Sequence, residues 1–215
     1  MGLIKKNMFH RYDVYEHITH AVANYRGNDI SIKMALLLHD IGKPECFTVD
    51  AMNDGHFYGH AVNSRRIAED VMCRLKFDNK TRDEVLELVL YHDADIQPNI
   101  RSVRRWLNKI GLEMLEKLME VREFDISAQS ETNRISRTDK CRWVVDMARE
   151  IVESQQCFQL KDLAVNGNDI LALGVEAGPM VGKALNHLLD RVIEEEVLNE
   201  HEALMEEAKR YLKGE

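Results

Sequence analysis

The apolar run Ile32-Lys-Met-Ala-Leu-Leu-Leu38 ends in His39-Asp40 and is followed at once by Ile-Gly-Lys-Pro. A run of this kind must be buried, and it carries an imidazole and a carboxylate into the core with it. Burying a carboxylate without a partner is costly, so a cation or a hydrogen-bonded network is expected around Asp40. One His-Asp dipeptide is a weak signal. It gains weight because His17, His60, His92 and Asp125 each fall on the apolar stripe of a different predicted helix.

Helical periodicity runs through the chain. Three Pro and 11 Gly in 215 residues, with Leu, Ala, Glu, Lys and Met abundant, predict an all-α fold. In residues 12–25, Val14, His17, Ile18, Ala21, Val22 and Tyr25 share one face. Ser31 is placed as the N-cap of the next helix, which Gly42 and Pro44 stop. Residues 47–58 read as a small hairpin or structured loop. A helix over 59–75 aligns His60, Ser64, Ile67, Ala68, Val71 and Leu75. Thr81-Arg-Asp-Glu84 reads as a capping box for a helix that aligns Val85, Leu88, Val89 and His92. A helix from Ser102 is predicted to break or bend at Gly111 before a segment presenting Leu115, Leu118, Arg122, Asp125 and Gln129. The polar stretch 130–140 precedes a helix to about Gln155. Past Phe158 come short segments punctuated by glycine, then helices over 179–195 and from Asn199. The expected division is a main domain, 1–157, and a small helical C-terminal tail, 158–215.

Hydrophobic residues at 45% and charged residues at 31% describe an ordinary globular chain. A net charge of −8 argues against a whole-surface nucleic-acid platform but leaves room for a local basic patch. Arg101, Arg104, Arg105 and Lys109 form a basic face, read as a solvated helix surface in preference to an RNA contact. For Arg134, Arg137, Lys140 and Arg142, loop solubility and phosphate contact weigh equally. Trp106 and Trp143 are expected to pack, and His20 to face solvent. His10, His56, His187 and His201 carry no argument. Cys46, Cys73, Cys141 and Cys157 lack CxxC spacing, which fits reduced thiols acting as small buried hydrophobes in a cytoplasmic protein. There is no signal-peptide core, and the stretch 34–38 is far too short to span a bilayer.

Imidazoles and carboxylates together suit divalent ions such as Mn, Fe, Co, Ni or Zn. The order His17, His39-Asp40, Asp125, with the motif His-Asp-Ile-Gly-Lys, resembles the HD superfamily of metal-dependent phosphohydrolases. That resemblance implies an HD-domain helical bundle whose quartet holds a divalent cation, Mg included. Tyr12-Asp-Val-Tyr-Glu-His17, His56-Phe-Tyr-Gly-His60, Phe124-Asp-Ile-Ser-Ala-Gln-Ser130 and Leu160-Lys-Asp-Leu-Ala-Val-Asn-Gly are similar to the C-terminal HD half of bacterial tRNA nucleotidyltransferases, the CCA-adding enzymes. Those enzymes also carry a polymerase head with a Gly-Ser motif and paired Asp-x-Asp carboxylates; this sequence has no Gly-Ser dipeptide, and its Asp93-Ala-Asp95 stands without one. CCA addition by this chain alone is therefore not expected.

The resemblance implies hydrolysis of phosphomonoesters or cyclic phosphodiesters of nucleotides or RNA ends. In two-metal relatives, extra histidines bind a second ion and the Asp of the pair bridges both. His60 and His92 match that order. The expected site is His17, His39, Asp40 and Asp125 on one ion and Asp40, His60 and His92 on the other, with a hydroxide between them as nucleophile. Asp40 and Lys43 are the catalytic candidates. Lys43 is also the first candidate for substrate phosphate, followed by Arg65, Arg66 and Arg122, and Asp93 is expected to orient His92 or a water. The alternative is an RNA-binding module with a vestigial site, with Arg101, Arg104 and Arg105 as contacts, or a fragment of a nucleotidyltransferase. The start Met1-Gly2, so close to the first site helix, leaves little room upstream. Metal identity, exact substrate and oligomeric state stay open in the sequence.

Overall fold

Aspartate side chains cap three of the helices around the candidate site. A computed structural model describes residues 13–50, 54–129 and 134–214. α1 (Val14–Asn24) begins at Asp13, which accepts the Glu16 N–H at 2.8 Å. α2 (Ile30–Leu38) begins at Asp29, which accepts the N–H groups of Ser31 at 2.8 Å and Ile32 at 3.2 Å. Ser31, the expected cap, lies inside the helix and donates its hydroxyl to Glu84 at 2.8 Å. A charged acceptor next to the helix N-terminus gains from the macrodipole as well as from the bonds, and here it displaces the hydroxyl.

A 3₁₀ turn, Lys43–Cys46, leads to a two-stranded antiparallel ribbon. It pairs β1 (Thr48–Val49) with β2 (Gly55–His56) in the register Thr48 to His56 and Val49 to Gly55. α3 (His60–Arg74) starts from Gly59 at φ 76°, a left-handed conformation that glycine adopts without steric cost. α4 (Asn79–Tyr91) is capped by Asp78, which accepts the Thr81 N–H at 3.0 Å. The predicted capping box does not form, because Glu84 is drawn to Ser31 and Lys117 instead. α5 (Ile100–Ser127) is broken at Gly111, whose φ 75° and ψ 172° are non-helical, as the sequence predicts. α6 (Arg134–Glu153) turns the stretch expected to be a loop into helix from Arg134 onward. After a second 3₁₀ turn, Leu160–Asp162, come α7 (Gly167–Leu171), α8 (Pro179–Ile193) and α9 (His201–Lys213).

The described residues up to Asp95, with Glu113–Val145, form one compact unit; Ile96–Leu112 with Asp146–Gly214 form another. The division therefore does not fall near residue 157. The chain passes between units three times, and α5 and α6 each contribute to both.

In the first unit α2 packs against α1 and α4, and α3 against α4. Ile32, Ala35, Leu36 and Leu38 of α2 are buried with Ala68, Met72, Val85, Leu88 and Val89. Burying each of the larger aliphatic side chains contributes roughly 1.5–3 kcal/mol. In the second unit Ile170, Ala184, Leu188, Leu189, Ile193, Leu204 and Ala208 form the core.

All four cysteines are free. Cys141 and Cys157 are buried, and burial pushes the Cys157 thiol up to about 11. Cys73 is exposed, against expectation. Trp143 is 58% exposed and does not pack, because Cys141 and Val144 take the inward face of its helix.

Candidate metal centre

Past Leu38 the α2 helix tightens. His39 N–H still reaches Ala35 O at 2.8 Å, but Ile41 N–H bonds Leu38 O at 3.3 Å and Lys43 N–H bonds Asp40 O at 3.0 Å. This turn leaves His39 Nε2 only 3.4 Å from Asp40 Oδ2, although adjacent residues in a regular helix diverge. Gly42 has an ordinary φ of −83°, so its role is not special backbone freedom. A Cβ there would meet Ser64 N at 2.5 Å and His60 O at 2.9 Å. The first turn of α3 thus lies directly against the turn after α2, fixed by Gly42 N–H donating to Ser64 Oγ at 2.9 Å. That approach brings His60 to Asp40.

The six predicted ligands converge into two neighbouring groups, His17 with His39 and Asp125, and Asp40 with His60 and His92. His17 Nε2 lies 2.8 Å from Asp125 Oδ1 and 3.2 Å from His39 Nε2. His39 Nε2 is 3.4 Å from the same Asp125 oxygen. Asp40 spans both groups. Its Oδ2 is 3.5 Å from His17 Nε2, while its Oδ1 is 3.4 Å from His60 Nε2 and 3.6 Å from His92 Nε2. His60 and His92 bring their Nε2 atoms within 3.2 Å of each other.

Each ring places its other nitrogen at a backbone carbonyl. Nδ1 of His17 faces Ala128 O at 3.3 Å, and that of His39 faces Leu36 O at 2.8 Å. Nδ1 of His60 faces Phe57 O at 3.0 Å, and that of His92 faces Val89 O at 2.8 Å. Only an Nδ1–H satisfies those contacts, which assigns the tautomers and leaves four Nε2 lone pairs aimed at two carboxylates. Acceptors facing acceptors in a buried space call for a cation or extra protons. Asp40 Oδ1 is buried without a hydrogen-bond partner, which marks the shortfall.

Without an ion, protons on Nε2 make up the shortfall. Burial disfavours a charged His39, yet the Asp40 and Asp125 charges outweigh it and raise the ring to about 10. Against their own burial, Asp40 is held well below the carboxylate range by His39, and Asp125 by hydrogen bonds from His17 and His39. Ligand atoms about 2.0–2.2 Å from a common ion lie about 3 Å apart when adjacent, close to the spacings here. The donor set fits divalent ions of intermediate hardness.

A cavity of about 150 Å³ adjoins these groups, lined by Asp40, Lys43, His60, His92, Asp93, Arg122, Asp125, Ile126, Gln129 and Arg137. Lys43 Nζ sits 2.5 Å from Asp40 Oδ2. Arg122 lines the cavity as expected, but Arg65 and Arg66 do not. Arg65 is exposed, and Arg66 bonds Glu45 at 3.0 Å and Asn63. Asp93, 54% exposed, approaches His60 at 3.8 Å, not His92, whose Nδ1 is taken by Val89. Arg137 and Gln129 were not singled out for the site by sequence. Gln129 donates to Asp125 Oδ2 at 3.0 Å and accepts from Arg137 at 2.6 Å. Its position four residues past Asp125, one helical turn on, was the available signal.

The expected basic face is engaged in contacts within the second unit. Arg101 bonds Glu195 at 3.2 Å, Arg104 bonds Gln156 at 2.6 Å, Arg105 pairs with Glu194, and Lys109 lies over the Trp106 ring. Among the described residues no helix is long and apolar enough to cross a membrane.

Residues 60–208 match the family model described as tRNA nucleotidyltransferase domain 2. The chain is 26% identical over 188 residues to an A-adding tRNA nucleotidyltransferase of Deinococcus radiodurans, covering 85% of this chain and 43% of that protein. It is 27% identical over 200 residues to a CC-adding tRNA nucleotidyltransferase of Thermus thermophilus, covering 90% and 44%. A stretch of 53 residues is 40% identical to a CCA-adding enzyme of Limosilactobacillus fermentum, covering 25% and 13%. The chain thus spans less than half the length of the curated relatives it matches, and no solved structure matches it. With the family model covering most of its length, the chain belongs to the tRNA nucleotidyltransferase domain 2 family.

Proposed function

We propose that the chain is a metal-dependent phosphohydrolase of the HD type, acting on phosphomonoesters or cyclic phosphodiesters of nucleotides or RNA ends. The observation that carries this reading is the convergence of four imidazole lone pairs on Asp40 and Asp125 beside a cavity that Lys43, Arg122 and Arg137 also line. His17, His39 and Asp125 would hold one divalent ion, His60 and His92 a second, and Asp40 would share its two oxygens between them. Bound ions would supply Lewis-acid charge for phosphoryl oxygens and an acidified water.

The chain's own groups do the positioning. The carbonyls of Leu36, Phe57, Val89 and Ala128 hold the Nδ1 protons, so no ring turns its lone pair away. Lys43 lies at the cavity wall against Asp40, where its ammonium adds positive charge beside an incoming phosphate.

The test is hydrolysis of nucleoside phosphates and cyclic phosphates with Mn, Ni, Co, Fe, Zn or Mg. Turnover by the wild type and its loss in His39→Ala are expected; metal-independent turnover, or none with any ion, refutes the reading. A second reading is favoured by the partial coverage of the transferases: the chain would be the body of a tRNA nucleotidyltransferase that binds RNA over a vestigial site. On that reading tRNA binds, and Asp40→Ala changes neither binding nor any hydrolysis.

A further inference from the structure

Arg122 has a buried Nη1 with no hydrogen-bond partner among the described residues, and it lines the cavity beside Asp40 and His92. A buried guanidinium N–H left unbonded is costly, and a phosphoryl oxygen is the acceptor its fork fits best. Arg137 lines the same cavity from α6 and is held there by Gln129, which also bonds Asp125. With Lys43, three cationic side chains thus share a wall with the candidate metal groups. The cavity's 150 Å³ corresponds to about five waters, at about 30 Å³ each. That is room for a phosphoryl group. Of the lining residues only Ile126 is apolar and none is aromatic except the histidines of the metal groups, so the described walls offer no stacking surface for a base.

We propose that Arg122 and Arg137 clamp the phosphoryl group, so that the site takes a terminal phosphomonoester dianion whatever base it carries and disfavours monoanionic cyclic diesters. This rests on the phosphohydrolase reading and narrows its substrate class. Gln129 acts as a positioning residue, linking the Arg137 guanidinium to the Asp125 carboxylate.

Isothermal titration of the metal-loaded chain at pH 8 tests it, with inorganic phosphate, four nucleoside 5′-monophosphates and 2′,3′-cyclic AMP as probes. At that pH a phosphomonoester is a dianion, because its second pKa is about 6. The four nucleotides should bind within about threefold of one another and the cyclic diester at least about tenfold more weakly; tenfold corresponds to about 1.4 kcal/mol, within reach of one charge-assisted hydrogen bond. Arg122→Met and Arg137→Met should each weaken phosphate binding by about tenfold with the metal content per chain unchanged, and Arg122→Lys should recover part of the loss. Arg137→Gln, at a half-exposed position, supplies a variant with an intact helical fold if Arg122→Met does not fold. Phosphate affinity unchanged in the arginine variants, or affinities that follow the base, overturns the clamp. A chain that takes up no divalent ion overturns the phosphohydrolase reading instead.

Discussion

Asp40 is the residue on which the two groups of ligands depend, because each of its oxygens faces a different pair of imidazoles. Asp40→Asn keeps the shape and removes the shared charge. Hydrolysis should fall by more than the roughly 100-fold that typifies changes one shell further out. An unchanged rate in steady-state assays would show that the carboxylate is not used. Gly42 matters for a different reason, since a methyl there collides with the α3 backbone. Gly42→Ala should cost about 1–3 kcal/mol by overpacking, measured as a lower urea midpoint, and should displace His60 from Asp40. The six residues that converge here were legible in the sequence as ionisable side chains on apolar stripes, ordered as the family resemblance implies. Arg65 and Arg66 were phosphate candidates too, yet at about 100° per residue they fall on faces of α3 other than that of His60. Arg137 was weighed only as part of a basic run, and nothing local to it shows that its helix borders the cavity.

Helix starts were harder to read than helices. Both Ser31 and Thr81 suit a cap, and in both places an aspartate two or three residues earlier took the role. The freed groups build a network instead, with Ser31 bonding Glu84 and Lys117 bonding Glu84 at 2.9 Å and Asp29 at 3.2 Å. Against partial burial, the N–H of Ile32 and the Lys117 ammonium hold Asp29 below its usual value. Lys117 and Ser31 do the same for Glu84. Lys117 is raised, since its two carboxylates outweigh its own burial. The carboxylates therefore contribute stability that is complete above about pH 5 and is lost as pH falls through their lowered folded values. The lysine's contribution is lost only at strongly alkaline pH. Lys117→Met should cost about 1–2 kcal/mol at pH 7, since the groups are partly solvent-screened. It should also flatten the acid limb of stability below pH 5 in urea titrations; an unaltered limb would place that acid sensitivity elsewhere.

At the scale of the molecule the all-α class was legible from composition and periodicity, whereas the division into units was not. Sequence shows where regular elements pause, as after residue 157, but compactness depends on which distant segments meet, and here α5 and α6 serve both units. Gly111 marks the break in α5 with a φ/ψ pair that side chains rarely tolerate. Gly111→Ala should destabilise by about 1–3 kcal/mol. Equal melting temperatures for Gly111→Ala and wild type would remove that requirement.

As metal ligands, these histidines and aspartates differ from a self-contained hydrogen-bonded cluster in the ions they retain. Plasma mass spectrometry on protein loaded with manganese, nickel, cobalt, iron or zinc and then dialysed counts those ions. Two ions per chain in the wild type, falling steeply in Asp40→Ala, is the predicted result; a wild-type chain that retains none of these metals would contradict it.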